Sequence, residues 1–145
     1  MTHGIAVRRL RDKRGQSLVE FAMCAVLVLM MLLVLIEFGR MVLVYTTVCN
    51  AARIGVRFAM VHGSDNLVTT TQIQTVVNDY LGAAAIDTAS ATVTPSYPGY
   101  LSCGAGSKLP GCPVRVTVSY PYQPMVSYFP FSVTLASQSQ GIITF

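Results

Sequence analysis

Sixteen consecutive residues, Phe21 to Ile36, carry no charge and are almost wholly apolar. As an α-helix this run rises about 24 Å, a little short of the roughly 30 Å hydrocarbon core of a bilayer. Leu18 and Val19 lengthen it at one end, and Phe38, Met41, Val42, Leu43 and Val44 at the other. Glu37 and Arg40 interrupt that extension, but at i and i+3 they can pair along one helix face or meet a neighbouring helix. Helical spacing then continues. Val48, Ala51, Ala52, Gly55, Val56, Ala59 and Met60 recur on one side, with Arg53 and Arg57 on another. The pattern predicts one helix from Ser17 to about Val61, stopped by the Gly63 and Asn66 of HGSDN. A secretory signal would end its shorter apolar run at a small-residue cleavage site. Here the run passes into IEFGRMVLVY, so the segment reads as a retained membrane helix over about 18–45.

The period changes further on. Thr71 to Gln74 has the Thr-x-x-Gln form of a capping box, which starts a short helix near Gln72. Ile73, Val76, Val77, Tyr80 and Leu81 form its apolar face, and Gly82 can follow its end. SATVT (90–94) reads as a strand. PVRVTVSY (113–120) alternates, with Val114, Val116, Val118 and Tyr120 on one side. FSVTLAS (131–137) repeats the pattern with Val133 and Leu135 inward, and GIITF forms or extends a last strand. The fold class is α+β: a long membrane-spanning helix continues into a small domain with a short helix and a three- or four-stranded antiparallel sheet. The divisions are 1–15, a basic leader; 16–62, the helix; and 63–145, the outer domain.

Charge follows the same division. The formal net charge is +4, but Arg8, Arg9, Arg11, Lys13 and Arg14 against Asp12 supply all of it before residue 16. From Gln16 onward five basic residues balance five acidic ones. No basic stripe remains to grip phosphates, so nucleic acid is excluded as a partner. A positive flank holds the N-terminus in the cytoplasm, with the C-terminal domain outside. No phosphate loop, nucleophile elbow or zinc-type spacing occurs. His3 lies in the leader and His62 at the helix end, while Asp65, Asp79 and Asp87 are scattered. The reading is therefore not an enzyme: no catalytic residue, no metal, no cofactor and no small-molecule substrate. Tyr97, Tyr100, Tyr120, Tyr122, Tyr128, Phe129 and Phe131 suit strand packing more than a contact surface.

The Gly, Pro and Ser of YPGYLSCGAGSKLPGC mark a surface loop. Cys103 and Cys112 are nine apart without a nearby His, so in an oxidising compartment a disulfide is favoured over two free thiols. Cys24 reads as a packing residue within the membrane helix, and Cys49 as a buried thiol.

One acid remains unexplained. In RGQSLVEFAM, Glu20 stands at the mouth of the apolar run, five residues after Gly15. Alone it could snorkel to the headgroups. Together, a basic leader, Gly15, Glu20, the aromatic Phe21 and a long apolar helix form an ordered arrangement. This arrangement resembles the processing site of type IV prepilins. RGQSLVEFAM, the EFGR segment, NAARIGVRFA and the C-terminal VRVTVSYPYQPM are similar more closely to the TadE-like minor pseudopilins of the tight-adherence (Tad) pilus and secretion system.

The resemblance implies cleavage between Gly15 and Gln16 by a prepilin peptidase, removing 1–15. Glu20, with Phe21 beside it, would become the assembly carboxylate, paired with the new amine of a neighbouring subunit. It implies a pilin-like outer domain in a bacterial inner-membrane protein, moving to a pilus or the cell surface on assembly. Its partners would be other pilin and pseudopilin subunits through the helix, and the inner-membrane assembly platform. The alternative is a single-span membrane scaffold of an envelope secretion complex that enters no fibre.

Overall fold

The computed structural model describes residues 3–62, 68–99, 103–125 and 132–144, with side chains in the first stretch described from Gly15 onward. It contains helix α1 (His3–His62), helix α2 (Thr70–Ala83) and strands β1 (Thr92–Ser96), β2 (Pro113–Tyr122) and β3 (Val133–Ile142). The class is α+β. The chain divides into two compact units, Met1–Gly39 and Arg40–Phe145, the last third of α1 being part of the second.

α1 begins earlier than the expected Ser17 and runs through Gly15. One glycine in a helix costs about 0.5–1 kcal/mol relative to alanine. That is too little to end a helix flanked by Arg, Lys, Gln and Leu, all good helix formers. The far end falls at His62, whose Nδ1 lies 3.1 Å from the Phe58 carbonyl and whose ring stacks on Phe58. Gly63, Asn66 and Asp65 lie outside the described residues.

α2 starts at Thr70, two residues before the expected Gln72. Thr69 is its N-cap, and the Gln72 side-chain oxygen accepts from the Thr69 N–H at 3.2 Å. Gln74 is drawn elsewhere: its amide donates to the Val93 carbonyl at 3.0 Å and ties α2 to β1. The stop also differs. Gly82 lies inside α2, and the left-handed residue beyond the end is Ala85 (φ 57°), whose N–H bonds the Gly82 carbonyl.

The three strands form one antiparallel sheet in the order β1-β2-β3, with no fourth strand among the described residues. β1 lies two residues later than SATVT suggests, and β2 continues through Pro121 and Tyr122. β3 absorbs Gly141 and Ile142, so GIITF extends the third strand, while Phe131 falls outside the described residues. Pro95, which cannot donate to a ladder, sits on edge strand β1. Val133 is exposed, against expectation: it opens β3 opposite Tyr122, and burial on that face begins at Leu135.

The core lies between the sheet, α2 and the outer part of α1. Val48, Ala51, Ala52, Val56 and Ala59 of α1 join Ile73, Val77 and Leu81 of α2 and Val93, Val114, Val116 and Val118 of the sheet. Small residues let the helix approach closely. A Cβ on Gly55 would stand 2.7 Å from Val77 Cγ2 and 3.1 Å from Val116 Cγ1. On β3, a Cβ on Gly141 would overlap Met60 Sδ and reach within 2.8 Å of Val56 Cγ1. The β3 positions opposite Val118, Val116 and Val114 are Ser137, Ser139 and Gly141. Bulk on β2 thus meets small residues on β3, beside the path of α1.

The loop before β2 is fastened at several points. Cys103 and Cys112 form a disulfide, with their Cα atoms 5.7 Å apart. Lys108 Nζ donates to the Val68 carbonyl at 2.9 Å and lies 5.4 Å from the centre of the Tyr97 ring. Gly106 N–H bonds the Tyr97 carbonyl, and burial holds the Tyr97 phenol above its usual pKa. The crosslink closes a nine-residue separation, for which chain entropy gives about 2–3 kcal/mol. Reduction of the full chain in detergent is expected to lower the thermal midpoint of the head by about 10–20 °C, using the per-kcal shift for a domain of about 100 residues. Ultraviolet titration should change with it. The neutral phenol is the form that the packing favours, so that contribution holds below about pH 10 and fades as pH climbs through the raised folded value. Once the loop opens, one tyrosine should ionise at lower pH. A reduced protein with an unchanged midpoint and tyrosine titration would show the crosslink to be inconsequential.

Candidate functional site

The residues singled out at the N-terminal end lie on α1. Gly15 is exposed, and a Cβ there would meet no atom within 4 Å. Gln16, Val19, Glu20, Met23, Cys24 and Leu27, at helical spacing, line one open depression. Glu20 has no hydrogen-bond or ionic partner among the described residues. Phe21 is 72% exposed on an adjacent face. The structure thus brings Gln16 and Glu20 together one turn apart and leaves both, with Phe21, open to another molecule.

From Leu18 to Leu43 the helix displays nearly all its large apolar side chains outward. A lone soluble helix would not leave such a surface to water, and the stretch is long and apolar enough to cross a membrane. The exposure stops at the head. From Val48 onward one face of α1 is buried in the core described above.

Arg40 opens the second unit, and its role there was not legible in the sequence. Its Nη2 donates to the Gln123 carbonyl at 2.6 Å, and its guanidinium lies 4.6 Å from the centre of the buried Tyr122 ring. The spacing of Glu37 and Arg40 suggested an ion pair. The contacts to Gln123 and Tyr122 span more than eighty residues, and no local period could have signalled them. The only hint was a Tyr-Gln-Pro segment closing an alternating strand.

No group of three or more His, Cys, Asp or Glu that could hold a metal occurs among the described residues. Tyr122 is buried, and Tyr97 and Tyr120 are half-buried against the core, whereas Tyr100, Tyr128, Phe129 and Phe131 lie outside the described residues.

These features define a class: an α+β protein in which one helix, fit to anchor in a membrane, carries a small three-stranded head. The comparison with known families narrows it. The family model described as TadE-like protein matches residues 15–57, and over that segment the chain is similar to that family. The match runs from Gly15, through the exposed apolar face, to the part of α1 that packs into the head. It points to a pilus-associated, pseudopilin-type protein with a structural role and with partners among pilus components. No curated protein and no solved structure matches the chain.

Proposed function

We propose that the chain is a minor pseudopilin, cut after Gly15 by a prepilin peptidase and assembled into a type IVb/Tad adhesive pilus through its N-terminal helix. The observation that carries this reading is a coincidence of position. The TadE-like match begins at Gly15, and the first turns after it place Gln16 and the unpartnered Glu20 on one open face. A peptidase must open the helix to reach the Gly15–Gln16 bond. Glycine makes that opening less costly, since it contributes least to helix stability among residues other than proline.

On this reading residues 1–15 form a cytoplasmic leader, 16–62 the retained helix and 63–145 the head outside the inner membrane. The membrane stretch runs over about 18–45. Residues 18–39 rise about 33 Å, close to the hydrocarbon thickness, and 40–45 extend it into the headgroup zone. There the Arg40 guanidinium can lie against Tyr122 at the interface. The partners are the peptidase, other pilin and pseudopilin subunits, and the inner-membrane assembly platform.

Intact-mass measurement of the protein from native membranes tests the reading. The expected species begins at Gln16 when the peptidase is present and at the leader when it is deleted. Gly15→Leu should leave the leader attached in both strains. A chain that keeps its leader alongside an active peptidase overturns the proposal and leaves a tethered scaffold.

A further inference from the structure

The charges of the head are unevenly used. Arg40 is held by Gln123 and Tyr122, Lys108 by the Val68 carbonyl, and Arg115 by the Gln140 side-chain oxygen at 3.1 Å. Asp87 is satisfied by the Ser90 hydroxyl and the Ala89 N–H, which hold its carboxyl below the usual range. Arg53 and Arg57 differ. Both are exposed, one turn apart on the side of α1 facing away from the core, and neither has a partner among the described residues. On α2, Asp79 is likewise exposed and without a partner among the described residues.

These unused charges stand at the same level of the head. Gly55 lies between the two arginines, and a Cβ there would meet Val77 and Ile73 of α2. Asp79 is two residues past Val77, about 3 Å along the helix axis. Copies standing side by side with one polarity therefore bring the arginines of one to the height of the aspartate of the next.

We propose that the Arg53–Arg57 face of α1 is an interface with a second copy of this chain, in which both guanidiniums clasp the neighbour's Asp79. The complement is found within the same sequence. The two surfaces differ, so the contact is head-to-tail and propagates into an open row or ring instead of closing as a two-fold dimer. The inference rests on the pilin-type reading only in taking neighbouring copies as parallel.

The test uses full-length chains carrying two different tags, co-expressed in membranes, solubilised at low salt and captured through one tag. R53E/R57E is expected to reduce co-capture at least about tenfold, and Asp79→Arg to do the same, because each sets like charges face to face. Combining all three substitutions should restore capture to near the starting level. Capture by the unaltered chain should also weaken as salt is raised. Four results overturn the proposal: loss with the arginine variant but not with Asp79→Arg, which assigns the face to a different acidic protein; no rescue in the triple variant although its protease resistance matches the parent; capture unaffected by either reversal; or capture insensitive to salt. The intact mass of the same sample reports processing separately. A rescued contact in an uncut chain sinks the cleavage reading alone, and a cut chain without rescue sinks this interface alone.

Discussion

Replacing Gly55 by leucine is expected to destabilise the head by about 3 kcal/mol or more, at the upper end of typical overpacking effects. A single Cβ at this position would already lie 2.7 Å from Val77 Cγ2 and 3.1 Å from Val116 Cγ1. Val77 and Val116 are fully buried, so neither can move aside without disturbing the core. Gly55→Ala is the milder case. Alanine recovers about 0.5–1 kcal/mol of helix propensity, which offsets part of the crowding, so the net loss should be about 0.5–2 kcal/mol. Gly39→Ala supplies the control, because a Cβ there meets nothing within 4 Å and the helix should be no weaker. Near-ultraviolet circular dichroism of the tyrosines, followed through thermal unfolding in detergent, reads the head separately from the long helix. The expected drop for Gly55→Leu is about 15 °C or more. A midpoint as high as that of Gly39→Ala would mean that the α1–α2 contact is looser than described.

That contact also shows how far the sequence could be read. The buried face at Val48, Ala51, Ala52, Val56 and Ala59 and the alternation of Val114, Val116 and Val118 were visible as periods, and the apolar run as an unbroken stretch. Periods report which side of an element is buried, and tertiary packing agreed with them. Boundaries were less legible because several local solutions compete at nearly equal energy. Thr69 and Thr71 both precede a glutamine by three residues, and the choice fell to Thr69 once Gln74 was engaged by Val93. The long helix was expected to start only after Gly15 and the short one to end before Gly82, yet each glycine lies within a helix, since one glycine costs less than the hydrogen bonds of a continuing turn. The role of Arg40 was hidden for a different reason. Its partners Tyr122 and Gln123 are distant in sequence and are set by the register of β2, which no spacing rule around residue 40 encodes. That Gln16 and Glu20 share one face was legible from their spacing alone, because it depends on order along one helix and not on tertiary folding.

Substituting Glu20 by glutamine is expected to leave membrane insertion and cleavage unchanged while reducing incorporation into assembled fibres at least about tenfold. Glutamine keeps the shape and hydrogen-bonding capacity of the side chain and removes only its charge. On the proposed reading, the partner of that charge is the ammonium that cleavage creates at Gln16 of an adjacent subunit. Two opposite charges 4 Å apart attract by about 4 kcal/mol at an effective dielectric of 20. Desolvation opposes this, so a net effect of about 1.4–2.8 kcal/mol, or roughly ten- to a hundredfold, is the reasonable scale. Headgroup snorkelling predicts the reverse. A carboxylate at a helix mouth can reach water, and its neutral amide should then insert at least as readily and assemble normally. Among the described residues nothing engages Glu20 within its own chain, so an internal partner offers no third explanation there. Quantifying the variant in sheared fibres against its membrane-bound pool separates the two accounts. A normal fibre fraction for Glu20→Gln would assign the acid to the lipid surface and remove electrostatic pairing from the assembly step.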